Sequence, residues 1–146
     1  MVLVDVNILI GAKMSGLPFH AQAKAWLDAL LQSDRPVRLP WAVLVAFVRI
    51  TTNPRAMTNP LSMNEALEQV VEWLGLPGVT VLHPTPEHAR HFTEQCRVAN
   101  ATGNLVSDAH LAALALEHDC ELASNDADFA KFPTVRWVNP MVLQGN

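Results

Sequence analysis

The amino-acid sequence predicts an α/β protein in which helices pack against a mostly parallel sheet. Short, continuous apolar segments alternate with longer segments of helical periodicity along the chain. The apolar segments lack the polar alternation of a half-exposed strand, which is typical of parallel strands buried on both faces. The chain has 146 residues, 50% of them hydrophobic, which predicts one domain over residues 1–146 with a substantial core.

Five short apolar runs, each of four or five residues, are predicted to form the sheet. Their length is that of a strand rather than a helix, and several are rich in valine, which favours extended structure. The predicted strands are residues 2–5, 36–39, 79–82, 120–124 and 135–138.

Six segments between these strands are predicted to be helices. Ser62 and Glu65 have the spacing of a capping box, in which each side chain bonds the other's backbone N–H group. Thr85 and Ser107 are predicted to cap two later helices, and Pro40 suits the first position of another. The predicted helices are residues 7–13, 20–32, 40–52, 62–76, 85–99 and 107–119.

Four aspartates fall at strand ends and helix starts of this predicted sheet. Asp5 ends the first strand, Asp108 opens the helix at residues 107–119, and Asp126 and Asp128 follow the fourth strand. Strand ends and helix starts share one edge of a parallel α/β sheet, and ligands bind at that edge. We therefore expect the four carboxylates to converge, although they come from three distant segments.

Carboxylates brought together in this way repel one another unless a cation neutralises them. Mg²⁺ or Mn²⁺ accepts oxygen ligands and retains several waters, so two to four carboxylates are enough to hold it. Such a metal supports hydrolysis of a phosphodiester bond. Local roles are the alternative: Asp108 as a first-turn acid, Asp126 as the start of an Asx-turn and Asp128 as a cap. Asp5, which ends an apolar strand, is the hardest to explain without a partner.

The overall composition narrows the class of protein. The formal net charge is −4, from 14 acidic and 10 basic residues, which argues against simple binding to a phosphate backbone. No apolar run is long enough to span a bilayer, and the first residues lack the features of a signal peptide. Two cysteines in ordinary contexts indicate reduced thiols and a cytoplasmic protein.

Three segments resemble PIN-domain ribonucleases, and most of all the VapC-type toxins of bacterial toxin–antitoxin pairs. They are VDVNILI (4–10), LPWAVLVAFVRITTNPR (39–55) and the long C-terminal block from GNLVSDAH to WVNP (103–140). The resemblance implies a three-layer α/β/α sandwich with a central parallel sheet and an endoribonuclease activity that depends on Mg²⁺ or Mn²⁺. It also implies an antitoxin that blocks the site, and a homodimer.

The resemblance also implies roles for individual residues. By position, the metal ligands are Asp5, Asp108 and Asp126, and Asp128 is a second, supporting acid of the catalytic set. Asn7 and Ser124 match the polar residues that orient these acids. Apart from the resemblance, two roles are open for Arg49: contact with RNA phosphates at the rim of the site, or an ion pair that neutralises a buried acid.

One position departs from the family pattern. The glutamate that PIN nucleases typically carry in the central helix is Ala46 here, in the segment VAFVRI. A catalytically silent PIN fold that binds RNA or protein is therefore the alternative to a nuclease. A phosphatase of the haloacid dehalogenase type is disfavoured, because its second aspartate would occupy the position of Asn7.

The histidines give weaker signals. His88 and His91, three apart on one helix, have a spacing that can bind zinc, but no second pair of ligands completes a site, so a solvated helix face is expected. His110 lies two residues after Asp108, about 200° around the helix, so the two side chains are expected to diverge and His110 to pack or cap.

Overall fold

The computed structural model describes residues 1–142, and the last four residues of the predicted domain, 143–146, lie outside the described part. The strands are β1 (Val2–Val4), β2 (Val37–Pro40), β3 (Val79–Leu82), β4 (Glu121–Ala123) and β5 (Trp137–Val138). The helices are α1 (Val6–Lys13), α2 (His20–Gln32), α3 (Trp41–Thr51), α4 (Met63–Leu74), α5 (His88–Val98) and α6 (Asn104–Glu117). A short 3₁₀ helix covers Ala127–Lys131.

The strands form one sheet in the order β3-β2-β1-β4-β5, and every described pairing is parallel. The predicted parallel sheet is therefore confirmed. β1 is the central strand, and its register with β4 aligns Val4 with Ala123. All three residues of β1 are completely buried, as expected of a strand covered on both faces.

The helices form two layers, one on each face of the sheet. The chain moves outward from β1 to β2 to β3 through α1–α4, in which α1 packs against both α2 and α3, and α3 packs against α4. It then crosses back to β4 through α5 and α6, which pack together. Because parallel crossovers are right-handed, this reversal of direction places α5 and α6 on the opposite face. The α/β/α sandwich is confirmed, and the order of strands reverses between β1 and β4.

Most predicted elements are present, but the starts of two helices were predicted wrongly. Ser62 and Glu65 form the predicted capping box at the start of α4. Helix α5 begins at His88 rather than near Thr85. The Thr85 hydroxyl accepts from the N–H of Glu87 (3.1 Å) in the turn before the helix, and it also donates to the distant Glu117. Helix α6 begins at Asn104, so Ser107 lies within the helix and does not cap it.

Aromatic side chains fill the centre of each layer. Phe47 of α3 is completely buried and packs edge-on against Trp73 of α4, with ring centroids 4.8 Å apart. Phe129 and Phe132, on and just after the 3₁₀ helix, are buried beside α6. No helix among residues 1–142 is both long enough and apolar enough to cross a membrane.

Candidate active site

Asp5 lies at the carboxyl end of the central strand, where β1 ends and α1 begins. Its backbone N–H donates to the carbonyl of Ala123 (2.9 Å), which extends the β1–β4 ladder by one residue. Its side chain caps α1, because Oδ1 accepts from the N–H of Val6 at 2.7 Å. The residue is buried, and burial raises the pKa of the Asp5 carboxyl above its ordinary range. The hydrogen bonds oppose this rise, and the charge of Asp126 adds to it.

Ser124 connects the ends of β1 and β4. It is completely buried, and its hydroxyl donates to Oδ2 of Asp5 at 2.7 Å. The hydroxyl oxygen of Ser124 also accepts from Nδ2 of Asn7 (3.1 Å) and from the N–H of Asp126 (3.0 Å). The structure thus places Asn7 and Ser124 between two of the predicted metal-binding acids, in contact with both segments.

Asp126 and Asp128 are held by the turn that follows β4. Asp126 caps the 3₁₀ helix, since its Oδ1 accepts from the N–H of Asp128 at 2.9 Å. This is the Asx-turn that the sequence analysis left open as an alternative role for Asp126. The bond uses only Oδ1 of Asp126 and does not involve Oδ2. Asp128 is exposed and pairs with Lys131 at 3.2 Å.

Asp108 is carried by helix α6 rather than by the end of a strand. It lies in the second turn of that helix, so the favourable field of the helix N-terminus, which fades within the first turn, is not its main support. The side chain is half-buried. Burial raises the pKa of Asp108 to about 7, and the charges of Asp126, Asp5 and Asp128 contribute to the rise. The protein therefore concentrates more negative charge here than it neutralises.

Three of the four predicted acids form a tight group. One carboxylate oxygen from each of Asp108, Asp126 and Asp128 lies within 4.8 Å of the others. Asp5 is outside this set, although it is close enough to raise the pKa of Asp108. Oxygen donors at this spacing, on side chains that repel one another, fit a hard divalent cation such as Mg²⁺ or Mn²⁺. The residues present therefore suit the metal that the sequence predicted.

A cleft of about 1030 Å³ opens beside these acids, between α3, α5 and α6. Asp5, Asp108 and Asp126 line it on one side. Ala46 and Arg49 line it from α3, so the position of the absent glutamate does face the site. The side chain of Arg49 makes no hydrogen bond or ion pair with residues 1–142.

Two histidines form a feature that the sequence reasoning missed. His88 does not lie on a solvated face: its side chain is only 17% exposed and bonds to Glu117. Although His110 and Asp108 lie on different sides of α6, both line the cleft, because the cleft borders the first turns of this helix on more than one side. The two imidazoles are in contact through Nε2 of His88 and Nδ1 of His110 (3.0 Å). One signal was present: His88 shares a helical stripe with the partly buried Phe92 and Cys96.

Comparison with known proteins agrees with this geometry. The PIN domain family model matches residues 2–135. Ribonuclease VapC37 of Mycobacterium tuberculosis is 38% identical over 143 residues, which cover 98% of this chain and 99% of that protein. The chain is a PIN domain of the VapC family. The resemblance seen in the sequence is thereby confirmed.

Solved structures share the fold of this PIN domain at low sequence identity. A toxin–antitoxin complex from Klebsiella pneumoniae has a chain with a TM-score of 0.64 at 20% identity, covering 96% of this chain and 98% of that one. VapC20 of Mycobacterium tuberculosis, described as a toxin that cleaves the sarcin–ricin loop, has a TM-score of 0.67 at 17% identity, covering 93% and 98%.

Proposed function

We propose that this PIN domain is an endoribonuclease that hydrolyses RNA phosphodiester bonds with Mg²⁺ or Mn²⁺, and that it is the toxin of a toxin–antitoxin pair. The observation that carries the proposal is the group of three carboxylates within 4.8 Å at the edge where the strand order reverses. The relatives named ribonucleases match nearly the whole of this chain, so the proposal concerns the 146 residues together and not one segment of them.

In this proposal Asp5, Asp108 and Asp126 hold the metal, as the family resemblance implies. Asp128, which takes the place of Asp5 in the group of three within 4.8 Å, supports them beside Lys131. When bound, the metal polarises the phosphodiester and activates a water for attack. Ser124 holds the carboxylate of Asp5 and the backbone of Asp126 at fixed positions, so little reorganisation is needed when the cation binds.

Arg49, on the α3 side of the cleft, is proposed to bind the RNA backbone. Arg49 is exposed, lines the cleft, and has no ion-pair partner within residues 1–142. It is therefore placed to contact an RNA phosphate rather than to neutralise a buried acid. With a net charge of −4, binding depends on this local contact and on the metal, and affinity should fall steeply with salt.

A test of the nuclease is cleavage of total cellular RNA by the purified protein with Mn²⁺, Mg²⁺ or EDTA. Asp5→Ala and Asp126→Asn should abolish cleavage. Asp34→Asn is the matched control. Asp34 is exposed in the loop before β2, at the amino-terminal ends of the strands, whereas the site lies at their carboxyl ends. Full activity of Asp5→Ala, or cleavage that persists in EDTA, would contradict the proposal.

The second candidate is a catalytically silent PIN fold that binds RNA or protein. Ala46 favours it, since this residue lines the cleft where the family typically has a glutamate. Waters can fill the open coordination positions of Mg²⁺, so we rank it second. Ala46→Glu decides between the two: an inactive parent together with an active Ala46→Glu variant would establish the silent version.

We also propose a cognate antitoxin, a homodimer and a cytoplasmic location. Exposed apolar side chains on α3 and α4 give both partners a surface; they are Trp41, Val45, Met63, Leu67 and Val71. The two free cysteines suit a reducing compartment. Light scattering on the purified protein should give twice the monomer mass, and co-expression with the product of the neighbouring gene should suppress cleavage. A monomer at micromolar concentration would remove the dimer from the proposal.

A further inference from the structure

A chain of hydrogen bonds runs from a buried carboxylate to the wall of the cleft. The side chain of Glu117 is completely buried, and its Oε1 accepts from the N–H of Thr85 (2.8 Å) and from the Thr85 hydroxyl (2.7 Å). Its Oε2 bonds to Nδ1 of His88. Nε2 of His88 then meets Nδ1 of His110 at 3.0 Å. The metal chemistry proposed above uses none of these four residues.

With both imidazoles neutral, the chemistry of the partners determines where the hydrogens lie. Burial raises the pKa of Glu117, but the hydrogen bonds from His88 and Thr85 outweigh it, and the pKa is lowered overall. The ionised carboxylate only accepts, so Nδ1 of His88 carries a hydrogen. With neutral rings, Nε2 of His88 is then an acceptor, and Nδ1 of His110 must donate to it. This leaves Nε2 of His110 as a hydrogen-bond acceptor.

That nitrogen is available to a ligand. It has no hydrogen-bond partner among residues 1–142, and it is not among the buried atoms that lack one, so it is open to solvent. The ring of His110 lines the same cleft as Asp5, Asp108 and Asp126. Phosphate oxygens only accept hydrogen bonds, so they do not pair with an acceptor. The donor on the backbone of RNA is the ribose 2′-hydroxyl, which DNA lacks.

We propose that His110 accepts a hydrogen bond from a ribose 2′-hydroxyl in the cleft and thereby selects RNA over DNA, with Glu117 and His88 as positioning residues. The inference rests on the proposed function to the extent that an RNA strand occupies this cleft. It adds a specificity contact at a site whose acids recognise only the metal and the phosphate.

The test compares two ligands that differ in the 2′ group. A mixed-sequence pool of labelled RNA 12-mers and the same pool with 2′-fluoro sugars, which cannot donate, are titrated by fluorescence anisotropy. Ca²⁺ replaces Mg²⁺, and the pH is 8. The wild-type protein should bind the RNA pool about tenfold more tightly, the equivalent of one lost hydrogen bond. His110→Ala should reduce this ratio to about one, mainly by weakening the binding of RNA.

The ratio of affinities for the RNA pool and the 2′-fluoro pool also tests the positioning residue Glu117. In Glu117→Gln the amide oxygen must face the N–H of Thr85, so the amide NH₂ group faces Nδ1 of His88 and reverses the hydrogens along the chain. The ratio should fall toward one. His91→Ala is the matched control, since His91 lies on α5 outside the cleft lining, and it should keep the wild-type ratio. A ratio of two ligands on one protein is not changed by a loss of stability alone.

Three results would overturn the inference. They are equal binding of both pools by the wild type, a preference that survives in His110→Ala, and an equal loss of both ligands in that variant, which would indicate a phosphate contact. Cleavage of RNA is measured separately on the same protein preparations, with Mg²⁺ or Mn²⁺ in place of Ca²⁺. If cleavage is present and the ratio is one, only the 2′-hydroxyl contact fails; if neither pool binds and no RNA is cleaved, the proposed function fails with it.

Discussion

Replacing Asp108 by asparagine should stabilise the metal-free protein while removing its ability to bind metal. The pKa of Asp108 is about 7 in the folded protein, against an ordinary value of 3.8. Between these two pH values the unfolded chain has already lost the proton that the folded protein keeps. The free energy of unfolding therefore falls as the pH rises from about 4 to 7, and this contribution stays constant above pH 7. Asparagine has the same shape and no such charge.

The size of the effect follows from the distance between the two pKa values. Each unit of difference between the two pKa values changes the free energy of unfolding by about 1.4 kcal/mol. Without screening, the charged Asp108 would therefore lower the free energy of unfolding by about 4 kcal/mol above pH 7. The side chain of Asp108 is only half-buried, and solvent and salt screen its interactions with the other acids. We therefore expect Asp108→Asn to gain about 2 kcal/mol at pH 8, and a much smaller amount at pH 4.5.

The assay is urea denaturation of both proteins at pH 4.5, 6, 7 and 8 in EDTA, followed by far-UV circular dichroism. Millimolar Mg²⁺ should then stabilise the wild type and not the variant, because a ligand that binds only the folded state stabilises it. A variant that is equally or less stable than the wild type at pH 8 in EDTA, with its native spectrum intact, would refute the reasoning about repulsion at this site.

Two further substitutions, each with a control, test the hydrogen bonds around Asp5 and the packing of α1. Ser124→Ala removes three hydrogen bonds around a buried carboxylate and should lower the free energy of unfolding, measured by urea denaturation, by about 2–3 kcal/mol. Ser107→Ala is the control, since this serine is exposed, and it should change the free energy of unfolding by less than about 0.5 kcal/mol. Gly11→Ala places a Cβ 2.3 Å from the ring of Phe19 and should lower the free energy of unfolding by about 1–3 kcal/mol. Gly16→Ala is the control: nothing lies within 4 Å of its Cβ, so it should lower the free energy of unfolding by less. A Gly11→Ala variant as stable as the wild type would contradict the close packing of α1 on α2.

The sequence predicted those elements whose signals are local. The capping box at Ser62 and Glu65 involves residues three apart, and the apolar runs of the strands are continuous, so periodicity and spacing were enough to find them. The convergence of Asp5 with Asp126 followed from a general rule for parallel sheets, because β1 and β4 end at the same edge.

The errors concern residues whose partners are distant in the chain. Thr85 is a residue type that caps helices, and it accepts from the N–H of Glu87, but its hydroxyl also donates to Glu117, which is 32 residues away. His88 was assigned to solvent because no second pair of ligands completed a zinc site, yet it too bonds Glu117. Spacing along one helix cannot reveal a partner on another helix, and both errors arise at the contact between α5 and α6.

The adjacency of β1 and β4 at the centre of the sheet determines when during synthesis the site can exist. β1 is made before all six helices, and one of its two neighbours in the sheet, β4, is made after them. A nascent chain that ends before residue 120 contains Asp5 and Asp108 but neither Asp126 nor Ser124. Such a chain cannot assemble the proposed metal site, which first becomes possible once the turn after β4 has been made.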